Sequence, residues 1–283
     1  MRRPLLDIEG LSAQNAAGQP VLRRVSLMMG PGEVHGLVGQ SGAGKTSIAK
    51  ASLGILPRAV TLTSGSIRFD GLELAGADKS TLDTLLGADI ALIPQDPLTA
   101  LNPSRRIGAQ LTDALRLKAG LSRQAALAKA ASLLEEVHLT DTVRILRAYP
   151  HELSGGMRQR VLIASAFALN PRLIIADEPT SALDVTVQKQ ILRLIRRLQR
   201  DHETAVLFVT HDLGVVAQIC DDVTVLFAGA VVEQTTVQSL FSQPVHAYTR
   251  ALIAANPRYD QPGASLRPIS EEVIEATLKG ISA

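Results

Sequence analysis

The strongest constraint on this fold is the segment Gly39-Gln-Ser-Gly-Ala-Gly-Lys45-Thr46, set between a β-like run and a helical stretch. The run Val34-His-Gly-Leu-Val38 feeds directly into Gly39, and Ser47 to Leu53 reads as a helix. Strand, glycine-rich turn and helix, in that order, make a cradle for phosphate. Backbone N–H groups of the turn and of the helix N-terminus converge on an anion. Lys45 would then reach the β- and γ-phosphates, and the Thr46 hydroxyl would ligate Mg²⁺. The bland alternative is a glycine turn with an incidental lysine, and the flanking strand and helix argue against it. The expected nucleotide-binding residues are Gly39, Gln40, Ser41, Gly42, Ala43, Gly44, Lys45, Thr46 and Ser47.

The 283 residues, 46% of them hydrophobic, suit one large domain or a domain with an inserted lobe. In the first third, short β-like runs alternate with glycine turns: Leu5–Ile8, Val21–Met28, Glu33–Val38 and Ser66–Phe69. From Ser104 to Glu136 the segment is rich in Ala, Leu, Lys, Arg and Gln with helical spacing, which predicts a helical lobe reaching about Leu169. Leu173–Ala176 then reads as a buried parallel strand, Val185–Arg200 as a helix and Ala205–Val209 as a second buried strand. That order implies a parallel sheet with right-handed crossovers. Val223–Phe227 and Ala230–Glu233, joined through Ala228-Gly229, predict a hairpin, and a polar, poorly ordered tail is expected beyond Pro257.

Charge and cysteine usage narrow the class. With 29 Lys+Arg against 27 Asp+Glu, net +2, no basic footprint for nucleic acid is expected. Arg193, Arg196, Arg197 and Arg200 cluster, but a solvated helix face accounts for them. The lone Cys220 rules out an internal disulfide and multi-cysteine metal centres, and its apolar setting suggests a buried structural thiol. The start lacks the apolar segment of a secretory signal. The longest apolar stretch, around Val161–Leu169, falls far short of the ~20 residues that cross a bilayer. A soluble, cytoplasmic protein is expected, one that would serve a membrane process through a partner.

Asp177, at the end of the buried run, fits the Mg²⁺-binding acid of phosphate-loop NTPases. Glu178 beside it would polarise the attacking water. A solvated Asp-Glu turn before Pro179 reads the same in isolation, and it is the Gly39 loop that tips the balance.

At this point the chain resembles the ATP-binding subunits of ABC transporters, across nearly its whole length. Leu153-Ser154-Gly155-Gly156-Met157 resembles the family's LSGGQ signature. Gln95 in Ile93-Pro-Gln-Asp-Pro97, the Ser181-Ala-Leu-Asp184 turn and His211 after a strand follow the family's order. The resemblance implies an α/β phosphate-loop NTPase of ABC type. It would have a mainly parallel core sheet, an N-terminal antiparallel β subdomain and an inserted helical subdomain at about 98–169, within an ATPase domain over 1–256 and before a tail over 257–283. It implies ATP hydrolysis with Glu178 and His211 catalytic, and Mg²⁺ held through Thr46, Gln95 and Asp177. Two ATPase domains would sandwich two ATP molecules. Ser154, Gly155, Gly156 and Met157 would contact the ATP of the partner subunit, and Asp184 would signal across the dimer.

Finer segments are similar to the peptide/nickel importer branch: Pro94–Pro103, Tyr149–Arg160 and Val245–Leu252. Leu53–Pro57 through Ser64-Gly65 resembles the nickel-type first ATPase subunit. The branch implies import of nickel, a metal chelate or a peptide. Its partners would be a paralogous ATPase, two membrane-spanning permeases and an external binding protein, with this subunit peripheral on the cytoplasmic face of the inner membrane. Three departures stand out. Ala13 to Gly18 offers no aromatic ring for adenine, so base stacking is weaker or comes from elsewhere, and the choice of ATP over GTP stays open. Met157 replaces the usual Gln. The chain ends without the cysteine cluster of many peptide-importing relatives, which argues against a standard dipeptide importer. The alternatives are a soluble ABC ATPase acting on nucleic acid or ribosomes, and a nucleotide switch without turnover. The absence of a second ATPase domain or a basic extension opposes the first; intact Lys45, Asp177, Glu178 and His211 oppose the second.

Overall fold

The computed structural model describes residues 3–256 and 268–282 and divides into two compact units. Residues 1–78 with 207–283 form the first, and 79–206 the second. The chain begins with β1 (Leu6–Asn15), β2 (Pro20–Met29), β3 (Val34–Val38), α1 (Lys45–Ser52), β4 (Val60–Phe69) and β5 (Leu72–Glu73). The second unit carries α2 (Lys79–Leu85), β6 (Ile90–Ile93), α3 (Pro97–Ala100), α4 (Ile107–Leu117) and α5 (Arg123–Glu136). It continues with α6 (Thr142–Arg147), α7 (Gly155–Phe167), β7 (Leu173–Asp177) and α8 (Val185–Asp201). Within β8 (Ala205–Thr210) the chain passes back to the first unit. There follow α9 (Leu213–Ile219), β9 (Asp222–Phe227), β10 (Ala230–Thr236), α10 (Val237–Ser242), α11 (Ala247–Ala255) and α12 (Glu271–Ser282).

The antiparallel sheet of the first unit has the order β2-β1-β4-β5, with Leu6 opposite both Met29 and Phe69. β1 runs past the expected Ile8 to Asn15, and β4 starts at Val60 instead of Ser66. The reason is a register shift between Glu9 and Ser12. A bulge puts the apolar alternation out of phase, so one long strand reads as a short one. β3 is buried at all five positions and pairs with β9 in parallel, while β10 returns antiparallel to β9. A continuous apolar run is what burial on both faces demands.

In the second unit β6 pairs in parallel with β7, Ile90 opposite Leu173 and Ile93 opposite Ala176. Four residues carry too little period to declare a strand from sequence, and neither β6 nor α2 is legible there. α4 buries Ile107, Leu111 and Leu115, four residues apart, and α5 buries Ala126, Ala130, Leu133 and Leu134. Ser122, Asp141 and Asp184 cap α5, α6 and α8 by accepting backbone N–H bonds.

Two expectations change here. The arginines of α8 are not all a solvated face. Arg197 donates to His138 Nε2 at 3.0 Å and to the Glu136 carbonyl. Arg160 of α7 donates to Val137 O at 2.9 Å and to Gln190 Oε1 at 3.0 Å. Together they tie α7 and α8 to the end of α5, and burial beside the Arg197 charge lowers the Arg160 pKa. The expected polar tail also differs. Its part over 257–267 lies outside the described residues, but Glu271–Ser282 is helix α12. Ile269, Val273, Ile274 and Ile281 pack against a core of Val38, Val225, Phe227, Tyr248 and Leu252. Cys220 is half-buried against the same core.

Candidate functional site

The glycine-rich loop closes on itself and is seated on the turn of the β9–β10 hairpin. Ala43 N donates to Gln40 O at 3.1 Å, and Gly229 N donates to Ala43 O at 3.1 Å. Glycine is required sterically at two places. A Cβ on Gly39 would come within 2.3 Å of Leu226 O, and one on Gly44, at φ +99°, within 2.8 Å of Leu22 Cδ2 and 3.1 Å of Val21 O. Gly44 caps α1 without any side-chain bond. Ser41, Gly42 and Thr46 are exposed, whereas Lys45 is only 5% exposed. Its ammonium donates to Gly39 O at 2.8 Å and Gln40 O at 3.0 Å. Phosphate oxygens carry negative charge and would attract that ammonium by Coulomb interaction as well as by hydrogen bonding.

The second unit gathers the acidic pair. Asp177 ends β7 at 8% exposure. Glu178 follows in the left-handed region, φ +46°, a conformation that costs a non-glycine residue about 1–3 kcal/mol and is common at functional sites. Gln95 Nε2 donates to Glu178 Oε2 at 3.3 Å. The parallel register explains the meeting, since Ile93 lies opposite Ala176 and both side chains sit two residues beyond those partners. Ser181 Oγ closes the turn onto Glu178 O at 3.1 Å.

The signature segment opens α7. Ser154 Oγ accepts from Met157 N at 3.3 Å, so Met157 joins the cap through its backbone, where a Gln would serve no differently. Ser154 and Gly155 are exposed. A Cβ on Gly155 would meet nothing within 4 Å, and one on Gly156 only Val187 Cγ1 at 3.3 Å. Asp184 caps α8, its Oδ1 accepting from Thr186 N at 3.1 Å and Val187 N at 2.9 Å. In the first unit the exposed His211 sits between two pinned neighbours. Asp212 N donates to Thr210 Oγ1 at 3.0 Å, and Asp212 Oδ1 accepts from Gly214 N at 2.7 Å to cap α9.

Sequence reasoning missed two residues beneath the loop. His35 is buried in β3, with Nδ1 3.0 Å from Glu33 Oε1 and Nε2 2.8 Å from Thr224 Oγ1 of β9. It pins the strand that delivers the loop; a polar ring inside an apolar run next to Glu33 was the available signal. Tyr248 of α11 is the other, fully buried against Phe227. Ala13–Gly18 forms the end of β1 and a turn in which Asn15 Oδ1 accepts from Ala17 N and Gln19 N at 3.0 and 2.9 Å.

Residues 22–181 match the family described as ABC transporter, and residues 232–280 the oligopeptide/dipeptide transporter C-terminal region. The chain is 45% identical over 281 residues to the probable D,D-dipeptide transport ATP-binding protein DdpD of Escherichia coli, covering 98% of this chain and 86% of that protein. It is 45% identical to the oligopeptide transport ATP-binding protein OppD of Salmonella typhimurium, covering 84% of this chain and 71% of that one. Among solved structures it resembles a dimeric ATP-binding cassette in a post-hydrolysis state bound to ADP and phosphate. There the TM-score is 0.73 at 25% identity, over 82% of this chain and 98% of that one. A phosphate loop, an acidic strand end, a capped signature helix and these likenesses agree: the chain belongs to the ABC transporter family and is one of its ATP-binding, ATP-hydrolysing subunits.

Proposed function

We propose that this subunit powers the uptake of short peptides through membrane-spanning partners, with its ATP sites completed by a second ATPase subunit. The observation that carries the shared site is Gly155. In a helix, Gly costs about 1 kcal/mol relative to Ala, yet among the described residues nothing outside its own helix backbone would come within 4 Å of a Cβ there. What the missing side chain accommodates therefore comes from outside, and a phosphate on the partner's loop fits an exposed, capped helix start. The partner is a paralogue in this reading, and two permeases and an external binding protein complete the assembly at the cytoplasmic face of the inner membrane. No helix among the described residues is long and apolar enough to cross a membrane, in keeping with a peripheral subunit.

Peptide is the best supported cargo, ahead of nickel or a metal chelate. The C-terminal match and the described cargo of both relatives support it, even without a cysteine cluster. In this reading the chain's catalytic residues divide the work. Gly39 to Ser47 bind the phosphates, the Lys45 ammonium turning from the Gly39 and Gln40 carbonyls to phosphate oxygens. Thr46 and Asp177 offer a hydroxyl and a carboxylate, hard oxygen donors of the kind Mg²⁺ takes alongside nucleotide phosphates, and Gln95 approaches through its amide. Mg²⁺ would supply charge neutralisation on those phosphates. Glu178, steered by Gln95, accepts the hydrogen bond of the attacking water, and His211 holds that arrangement. Asp184 carries the state of one site to the other. The helical subdomain over about 98–169 receives the membrane partner beside Gln95, where Leu98 of α3 is exposed.

The test is Glu178→Gln. General-base loss lowers turnover by about 10²–10⁴-fold, so phosphate release should collapse while ATP binding persists and a dimer accumulates on size-exclusion chromatography. Wild-type turnover in that variant would overturn the role of Glu178, and no ATP-dependent dimer would overturn the shared site.

A further inference from the structure

The turn that delivers the signature serine is held from two sides. Ala148 O accepts from Ile107 N, at the start of α4, at 2.9 Å. Tyr149 N donates to Glu152 Oε2 at 2.7 Å, and Pro150 O accepts from Arg158 Nε of α7 at 2.7 Å. The first turn of α4 leaves no slack, because a Cβ on Gly108 would lie 2.7 Å from Leu146 O. The backbone between α6 and α7 is therefore fixed at both ends, with one 3₁₀ turn, Pro150–Glu152, between them.

Within that turn few backbone angles are free. Its own ring fixes the φ of Pro150, and a residue before proline is restricted to extended conformations. Tyr149 obeys at φ −92°, ψ 157°. What remains is the rotation between Pro150 and His151, and a ring pair spans it. The Tyr149 and His151 rings are stacked, 5.7 Å apart between centroids with 11° between their planes. The Arg106 guanidinium, at the N-cap of α4, lies 5.6 Å from the Tyr149 centroid. Offset-stacked rings attract each other, and so do a cation and an aromatic face. Arg106 and His151 are exposed and Tyr149 is half-buried, so apolar burial alone does not account for the group. Three residues beyond His151, Ser154 opens α7, its Oγ accepting from Met157 N at 3.3 Å and its carbonyl from Arg158 N at 3.0 Å.

We propose that Arg106, Tyr149 and His151 are positioning residues for the signature helix. Their stack fixes the rotation of the turn against α4. It thereby sets the direction in which Ser154 and Gly155 present the first N–H groups of α7 to the ATP of a partner subunit. The inference rests on the shared-site reading of Gly155, and the experiment separates the two.

Tyr149→Ala, Tyr149→Phe and Arg106→Gln in the full chain are compared with wild type. Hydrogen exchange is resolved to the Met157 and Arg158 amides, which bond Ser154, and is joined by ATPase kinetics, nucleotide titration and thermal melting. In Tyr149→Ala those amides should exchange about tenfold faster, the worth of a ring pair and a cation contact together. Its kcat should fall by a similar factor, while the Kd for a fluorescent ATP analogue with Mg²⁺ and the Tm stay near wild type. Arg106→Gln should show a smaller change of the same kind, and Tyr149→Phe, which keeps the ring, should match wild type. Unchanged exchange or an unchanged kcat in Tyr149→Ala overturns the proposal. So does a Tyr149→Phe variant as impaired as Tyr149→Ala, because the ring would then not be the acting feature. A Tm lowered by several degrees together with a weaker Kd also overturns it, as the mark of a general loss of structure. Gly155→Asp tests the underlying reading by itself and should abolish turnover with the stack intact. If it keeps wild-type turnover, the shared site fails first and this proposal falls with it.

Discussion

Glycine shows at the scale of single residues how one atom decides between a loop and a clash. At Gly39 a methyl group would have to share space with the Leu226 carbonyl at 2.3 Å, a backbone atom that cannot rotate away. Gly39→Ala should therefore cost about 2–4 kcal/mol from overpacking and strain. Chemical denaturation would show a lower midpoint, and ATP affinity should fall with it. Gly42, by contrast, has nothing within 4 Å of its would-be Cβ, so its need for glycine is conformational, at φ +80°. Glu178 holds a left-handed backbone without being glycine, and its carboxylate meets Gln95. Such strain persists only where surrounding bonds over-determine it. Here the Ser181 hydroxyl on Glu178 O and the Gln95 amide on its side chain do so.

Among the elements, helix starts concentrate the proposed chemistry. α1, α7, α8 and α9 begin at Gly44, Ser154, Asp184 and Asp212, and three of those four carry a side-chain cap. The exception is α1, where Gly44 offers no side chain to compete with an anion for the first N–H groups of the helix. Asp184 has two roles in this reading, cap and signal, and they can be separated. Asp184→Ala should lower stability by about 1 kcal/mol, whereas Asp184→Asn keeps the N-cap and most of that stability. Melting curves read the first role. If Asp184→Asn also keeps full cooperative turnover in ATPase assays, the signalling role of the carboxylate is lost. β6 and β7 illustrate how elements create sites: their parallel register carries Gln95 to Glu178 across 83 positions of sequence.

For the molecule as a whole, the C-terminal helices are part of the foundation of the first unit. Ile269, Val273, Ile274 and Ile281 join a core that reaches Val38. Ile274→Asp would place an unpaired carboxylate against that core at a cost of about 1–3 kcal/mol. The Tm should drop by several degrees. A melting curve matching wild type would mean that α12 adds nothing to the fold. The acidic residues Glu271, Glu272 and Glu275 alternate with those apolar positions, which is why composition alone reads the segment as polar tail.

Local placement was legible in the sequence where a few neighbouring positions decide it: the Gly39–Thr46 segment lies between a strand and a helix, Asp177 ends a strand, and Ser154 and Asp184 cap helices. The strands around them read well when buried on both faces, as in β3, β7 and β8, and poorly when a bulge or brevity broke the period, as in β1, β4 and β6. Only the tertiary structure brought Gln95 to Glu178, set His35 and Tyr248 beneath the loop, turned Arg160 and Arg197 inward and gave the last helix a core to pack on. Those contacts join residues far apart in the chain, and no local pattern encodes them. They arise because apolar surface must be covered and buried polar groups must find partners, conditions that only the assembled fold can satisfy.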